Sequence, residues 1–109
     1  MQVSVKGTID YTDSDSTDVT EASLTGGAEW TTKLPKVIKK GVIAHFSATG
    51  TIEEGGEIKG TIALNNFIFL YFTLNGKDNS ATFKQSFGPT INATITKGDN
   101  AVAAYTVAR

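Results

Sequence analysis

Hydrophobic and polar residues alternate along most of the chain. Odd-numbered positions of segment 3–11 are apolar or glycine and its even-numbered positions are polar, and segments 42–48, 58–64 and 91–95 alternate in a similar way. A period of two residues is typical of half-buried β-strands, whereas no segment keeps a 3.6-residue period for more than two turns. The pattern therefore predicts an all-β protein.

Turn-forming residues separate these segments. Residues that tolerate positive φ or build tight turns lie between the predicted strands: Gly26-Gly27, Glu54-Gly55-Gly56, Asn65-Asn66, Asn75-Gly76, Gly88-Pro89 and Gly98-Asp99-Asn100. Their spacing predicts a single domain, residues 1–109, folded as an antiparallel β-sandwich of eight or nine short strands. A closed barrel is the alternative, because periodicity does not separate the two architectures.

Two segments depart from the alternation. Residues 67–72 are apolar throughout, which is typical of a strand covered on both faces, so we place it at the centre of a sheet with its second face against a loop or a partner. Segment 30–41 has no clean alternation and contains Pro35, which cannot donate to a sheet ladder. We expect this segment to be a long loop that crosses from one sheet to the other.

Composition and charge exclude several classes of function. The chain has no cysteine, which excludes disulfides, zinc–thiolate sites and cysteine nucleophiles. With 10 basic and 11 acidic residues the net charge is -1, which disfavours nucleic acid as a partner. The first residues lack the pattern of a signal peptide, and no apolar run is long enough for a spanning helix. We expect cytoplasmic synthesis without a classical signal peptide, and action at a cell surface or outside the cell.

The sequence offers little for catalysis. His45 is the sole histidine, and the alternation places it on the strand face opposite to Phe46. The chain contains no G-x-S-x-G elbow, no H-E-x-x-H motif and no Walker-type loop. We therefore predict a protein that is not an enzyme and needs no cofactor.

An acidic stretch near the beginning of the chain raises the question of calcium. Asp10, Asp13, Asp15 and Asp18 are closely spaced, and carboxylates on a loop can gather this ion. The stretch lacks the glycine and the distal glutamate of an EF-hand loop. We predict no metal site and a solvated hairpin loop whose Asp and Ser side chains bond the backbone, with calcium binding as the open alternative.

A lysine-rich segment follows the only tryptophan, Trp30. No acid lies between residues 30 and 50, and four lysines do: Lys33, Lys36, Lys39 and Lys40. Lysines on a loop attract anionic headgroups, and tryptophan is common at membrane interfaces and beneath bound sugars. Three plainer roles stay open: lysines that only aid solubility, lysines that pair with the acidic loop of a neighbouring molecule, and a Trp30 that belongs to the core.

A polar turn provides a second candidate site. Asp78 and Asn79 end the turn that begins at Asn75-Gly76, and carboxylate and amide groups hydrogen-bond well to sugar hydroxyls. Asn65 and Asn66 are of the same type, and Trp30 or Tyr71 would supply the aromatic ring on which a sugar stacks. A hairpin turn uses the same residue types for geometry alone.

The order of these features resembles a known family. The residues that carry the likeness are Gly26-Gly27-Ala28-Glu29-Trp30, Leu34-Pro35, Ile38, Gly41, Phe46-Ser47-Ala48-Thr49-Gly50, Gly56-Glu57-Ile58-Lys59-Gly60-Thr61-Ile62, Phe69-Leu70-Tyr71-Phe72, Asn79-Ser80 and Tyr105-Thr106-Val107. Together they resemble the aegerolysin family, and within it the small aegerolysin-type component of two-component insecticidal crystal proteins. Compact haemagglutinin-like lectins are the second resemblance.

The aegerolysin resemblance implies a β-sandwich that binds membrane lipids, often sphingolipids, and acts with a larger pore-forming protein partner. We therefore expect a non-enzymatic protein that docks on lipid, with Trp30 as the anchor and the four lysines at phosphate groups. The alternative is a small lectin for cell-surface glycans, built on Asp78, Asn79 and Tyr71. Agglutination requires at least two binding sites, and hence a homodimer or larger assembly.

Overall fold

The computed structural model describes all residues from Met1 to Arg109 and contains no helix. The chain forms ten β-strands: β1 Gln2–Tyr11, β2 Ser16–Leu24, β3 Glu29–Thr32, β4 Val37–Lys39, β5 Ala44–Thr51, β6 Ile58–Leu64, β7 Ile68–Leu74, β8 Ser80–Gln85, β9 Thr90–Ile95 and β10 Asn100–Ala108. The all-β prediction is confirmed, and the strands outnumber the expected eight or nine.

The strands form two five-stranded sheets. One has the order β3-β5-β1-β10-β9 and the other the order β4-β2-β6-β7-β8. Buried side chains from both sheets join in one hydrophobic cluster of 21 residues. This sandwich-like arrangement follows from the alternation, because each strand directs every second side chain to the same face.

The first sheet is mixed and not purely antiparallel, which corrects the prediction. β1 and β10 pair in parallel, with a register that runs from Ser4 opposite Asn100 to Tyr11 opposite Val107. These are the first and last strands of the chain, so no hairpin turn imposes an antiparallel direction on them. Sequence alternation carries no information about strand direction, and this pairing was therefore not predictable from it.

Segment 30–41 crosses between the sheets, as expected, but it is not one long loop. Residues 30–32 belong to β3 in one sheet and residues 37–39 form β4 in the other, so the crossover itself is only residues 33–36, and residues 40–41 begin the next loop. Ile38 holds β4 in place because it is buried opposite Thr17 of β2. A three-residue strand with one buried side chain is too short for alternation to reveal it.

β7 is an interior strand, flanked by β6 and β8, with one face buried and the other half-buried. Ile68, Leu70 and Phe72 point into the core, whereas Phe69 and Tyr71 lie half-buried on the outer face. The two outer rings are nearly parallel, with planes 11° apart and centroids 6.4 Å apart. The second face, expected against a loop or a partner, is thus half-buried, and neighbouring aromatic rings of β7 contribute to it.

Two glycines make room for the aromatic centre of the core. Gly7 lies opposite Phe46 and Gly60 opposite Phe72, and a methyl group on either glycine would overlap the facing ring. The phenylalanine rings stack across the sheets with centroids 5.8 Å apart. Trp30 meets both rings edge to face, at 6.0 and 6.2 Å. Aromatic rings laid over strand glycines fill the space that a missing side chain leaves.

A tyrosine hydrogen bond also joins the two sheets. The hydroxyl of Tyr105 on β10 donates to the backbone carbonyl of Tyr71 on β7 at 2.6 Å. The Tyr105 side chain is buried, and desolvation raises the pKa of its phenol well above the ordinary value. The neutral phenol is therefore the form that the core accepts.

The loops sort into two ends of an elongated molecule, whose principal dimensions are 41 × 21 × 20 Å. Loops 12–15, 40–43, 65–67 and 86–89 lie at one end, which we call the apolar end. The other end, here the acidic end, consists of four loops: 25–28, 52–57, 75–79 and 96–99. The acidic end carries five acids, Glu53, Glu54, Glu57, Asp78 and Asp99, and only two lysines, Lys77 and Lys97.

Candidate functional site

The residues that the sequence singled out do not form one site. Trp30, Lys33 and Lys36 lie at a cleft on the side of the molecule, and Lys39 and Lys40 lie at the apolar end. Tyr71 lies on the outer face of β7, and Asp78 and Asn79 lie at the acidic end. Each location therefore has to be assessed by itself.

A cleft of about 340 Å³ opens between β2 and the crossover residues 33–36. Trp30 lines it together with Leu34 and Pro35 on one side and residues 19–22 of β2 on the other. Trp30 is half-buried. Its indole N–H donates to no protein group, yet it is not sealed off from solvent. The cleft thus joins apolar side chains to an aromatic ring.

Two lysines flank this cleft without a protein partner. Lys33 and Lys36 are exposed and take part in none of the ion pairs of the molecule. The acid on the opposite wall, Glu21, accepts a hydrogen bond of 2.9 Å from the hydroxyl of Ser23. The cleft therefore has an excess of positive charge that is available to a ligand.

Lys39 and Lys40 lie elsewhere, next to the acidic loop of the same molecule. Lys39 stands opposite Ser16 in the pairing of β4 with β2, and the backbone N–H of Lys40 donates to the carbonyl of Asp15 at 2.9 Å. The four lysines do not form one surface. The acidic loop that was considered as a partner from a neighbouring molecule is adjacent within the chain itself.

The acidic loop is organised by its own hydrogen bonds. The hydroxyl groups of Tyr11 and Ser14 lie 2.8 Å apart, and Ser14 donates to the carbonyl of Ser16 at 3.0 Å. Asp13 faces Arg109 at 3.7 Å. No group of three histidine or acidic side chains is placed to hold a metal ion, so these carboxylates do not converge on one point.

Asn79 has no hydrogen-bonding capacity left for a sugar. Its carbonyl oxygen accepts from the backbone N–H groups of Asn75 at 3.0 Å and Gly76 at 3.2 Å. Its amide group donates to the carbonyls of Thr96 at 3.0 Å and Gly98 at 2.9 Å. Because an amide side chain has two donor hydrogens and two acceptor lone pairs, all four positions are occupied. The geometry makes Asn79 a structural link between two turns.

The other sugar-site candidates are also separated from one another. Asp78 is exposed at the acidic end, 3.6 Å from Lys97. Tyr71 lies beside Phe69 on the outer face of β7. Asn65 and Asn66 form the β6–β7 turn at the apolar end, with positive φ values of 52° and 62°. Of this group, Tyr71 alone offers a partly exposed ring.

The apolar end carries a feature that the sequence reasoning missed. Phe87, Val42 and Ile43 expose 75%, 59% and 42% of their surface, although all three are large hydrophobic residues. Phe87 stacks on Phe67 of the neighbouring turn, with ring centroids 5.9 Å apart. A phenylalanine between Ser86 and Gly88, in a segment with turn residues, was the available signal.

The single histidine has no catalytic neighbours. His45 lies on the exposed face of β5, opposite Thr8 of β1, whereas Phe46 is buried, as the alternation predicted. It forms none of the ion pairs of the molecule. A shallow cleft beside it is lined mostly by polar side chains, among them Lys6 and Ser47. This face presents no oriented acid–base pair.

Comparison with known proteins adds no assignment. No protein-family model and no curated protein sequence matches this chain. The structure also contains no helix with the length and hydrophobicity needed to cross a bilayer. The functional argument therefore depends on the surfaces described above.

Proposed function

We propose that this protein is a non-enzymatic β-sandwich module that recognises a surface by docking its apolar end on membrane lipid. The observation that carries the proposal is the exposure of Val42, Ile43 and Phe87 at loop tips of the same end. Contiguous exposed apolar surface marks sites of interaction, and here Phe87 with Phe67 forms one such patch and Val42 with Ile43 another. Loop tips at one end of an elongated domain can enter a bilayer while the strands stay outside.

The apolar side chains stand at opposite edges of this end. The loop with Val42 and Ile43 follows β4, and the loop with Phe87 follows β8, and these strands are the two edges of one sheet. Contacts at two separated points support an upright orientation, in which the long axis points away from the bilayer.

The expected affinity is modest. Complete burial of a side chain of this size stabilises binding by about 1.5–3 kcal/mol, and these three side chains already have part of their surface buried. The sum is comparable to a single acyl chain, which gives reversible membrane binding. The larger protein partner or the homodimer that the sequence suggested would strengthen such docking through avidity.

The charges of this end fit a zwitterionic headgroup layer. Lys39, Lys40 and Arg109 are its cations, and Asp13 and Asp15 lie beside them. Cations can contact phosphate groups while the carboxylates face the positive part of a headgroup. In this proposal Lys39 and Lys40 keep the role expected from the sequence, whereas the anchoring role passes from Trp30 to Phe87 and Val42.

Vesicle sedimentation tests the proposal directly. Wild-type protein is expected to sediment with phosphatidylcholine–sphingomyelin vesicles, and replacement of both Phe87→Ser and Val42→Ser to reduce the bound fraction by about tenfold. The control is Val102→Ser, because Val102 is an equally apolar residue, 54% exposed, on the outer face of β10. Absence of wild-type binding, or an equal loss in the control, contradicts the proposal.

A small lectin is the second candidate function, favoured by the parallel rings of Phe69 and Tyr71 on an open sheet face. Paired aromatic rings offer a platform on which sugar rings stack. Haemagglutination that a simple sugar inhibits, and that Tyr71→Ala abolishes, would support this function over lipid docking.

A further inference from the structure

One edge of β2 is only partly paired. β6 accompanies β2 along one side, but on the other side β4 pairs only with residues 16–18. The next backbone bond on that side is the donation from the N–H of Val19 to the carbonyl of Lys36, at 2.8 Å. Beyond it, residues 20–24 have no strand partner on this edge.

The bonding pattern identifies which groups face outward. The N–H of Thr25 donates to the carbonyl of Lys59, directly opposite, and the N–H of Lys59 donates to the hydroxyl of Thr25, so this pair is bonded across to β6. Bonded and non-bonded pairs alternate in an antiparallel ladder. Ala22, opposite Ile62, and Leu24, opposite Gly60, are therefore non-bonded pairs, and their N–H and C=O groups point away from β6.

Ala22 borders the Trp30 cleft, and Leu24 lies two residues further along the same edge of β2. Residues 19–22 form one wall, and Trp30, Leu34 and Pro35 form the other. Ala22 is exposed although its register opposite the buried Ile62 places it on the core side of the sheet. The cleft is thus an opening along the side of the sandwich, with a backbone edge on one wall and an aromatic ring on the other.

We propose that this groove binds an extended peptide segment of a partner protein by strand addition to β2, in line with β4. The N–H and C=O groups of Ala22 and Leu24 would pair with the peptide backbone. Lys33 and Lys36, which have no ion-pair partner, favour a segment with an acidic side chain. The site lies on the side of the molecule and does not depend on lipid binding at the apolar end.

The unpaired backbone is the reason for preferring a peptide over a sugar or a headgroup. A row of unpaired strand groups is a template for another strand, and proteins cover such edges or blunt them with charges. Here β4 and Lys36 already use the first part of the same edge. A sugar would use Trp30 but would leave the alternating donors and acceptors of Ala22 and Leu24 unmatched.

The test uses synthetic peptides and the full chain. The probes are hexapeptides that alternate valine and threonine, with one glutamate placed at each position in turn. Because Trp30 is the only tryptophan, its fluorescence reports occupancy of the cleft directly. NMR hydrogen exchange should show slower exchange at the amides of Ala22 and Leu24 when a peptide is bound.

Backbone methylation of the peptide separates strand addition from side-chain binding. Successive amides of a strand point to opposite edges. One peptide therefore carries N-methyl groups on the odd-numbered amides and a second on the even-numbered amides. One of the two should lose binding, and the other should bind within about threefold of the unmethylated peptide. Equal affinity for both methylated forms would overturn the proposal. This arm uses the wild-type chain and is independent of any variant.

Charge reversal tests the expected acidic side chain. The double variant Lys33→Glu, Lys36→Glu should bind the glutamate peptides about tenfold more weakly, and the matched variant Lys39→Glu, Lys40→Glu should bind them normally. Failure of the whole panel to bind at millimolar concentration would overturn the proposal. So would a Trp30 response to maltooligosaccharides or phosphocholine with none to the peptides.

Discussion

At the scale of single residues, the core depends on pairs that alternation alone does not reveal. The alternation places Gly7 and Gly60 on the core faces of their strands. Each glycine leaves space for a phenylalanine ring of the neighbouring strand to lie over it. Trp30 completes this centre and also borders the side cleft. The sequence left open whether Trp30 belongs to the core, and the structure shows that its ring packs against the core.

Tyr105 gives the fold a dependence on alkaline pH. Its pKa is raised in the folded state, so the unfolded chain loses the phenol proton first, near the ordinary tyrosine pKa of about 10. The stabilisation by this group is complete below that pH and is lost as the pH rises further. The free energy of unfolding should then fall by up to about 1.4 kcal/mol per pH unit.

Tyr105→Phe isolates this effect. At pH 8 the variant should be less stable by about 1 kcal/mol, because it loses the hydrogen bond to the carbonyl of Tyr71. Above pH 10 the difference between the two proteins should shrink in urea titrations, since only the wild type has this phenol to ionise. A constant difference from pH 8 to pH 11 would contradict the assignment.

At the scale of strands and turns, side chains link elements that are distant in the sequence. Asn79 accepts two hydrogen bonds within the β7–β8 turn and donates two to the β9–β10 turn, and so links the two turns. Its neighbour Asp78 forms only an exposed ion pair with Lys97. These two adjacent residues were candidates for the same sugar site, and the structure gives them unequal structural roles.

Replacement of each residue by alanine measures this difference. Asn79→Ala should lower the free energy of unfolding by about 2 kcal/mol, because it leaves backbone groups of both turns without partners. Asp78→Ala should change it by less than about 0.5 kcal/mol, since exposed ion pairs contribute little. Chemical denaturation of both variants is the measurement, and equal losses would show that the four bonds do not hold the turns together.

At the scale of the whole molecule, the two ends differ in chemistry. One end exposes Val42, Ile43 and Phe87, and the other has five acids against two lysines. A molecule of this shape and polarity would meet a bilayer with the apolar end and point the acidic end toward solvent. The groove along β2 would then lie on the side, open to a protein partner.

Salt separates this docking mode from attraction by the lysines. Docking that depends on Phe87 and Val42 should change by less than about twofold between roughly 0.05 and 0.5 M salt, because screening acts on charges and not on apolar burial. The measurement is sedimentation with zwitterionic vesicles at both salt concentrations. A tenfold loss at high salt would return the main role to Lys33, Lys36, Lys39 and Lys40.

The fold class, most of the turns and the faces of the long strands follow from local patterns along the chain. The period of two is a local property, and so is the tolerance of Asn65 and Asn66 for positive φ, which the structure bears out. His45 and Phe46 take opposite faces for the same reason. Neighbouring residues are enough to specify such features.

Strand pairing, and the surfaces that it leaves open, became visible in the folded molecule alone. The parallel contact of β1 with β10, the short strand β4 and the links made by Asn79 join residues that are far apart in the chain. The free edge of β2 and the apolar end exist because of where strands end in space. Pairing between distant strands fixes where each strand ends, and a local pattern of residues carries no information about that pairing.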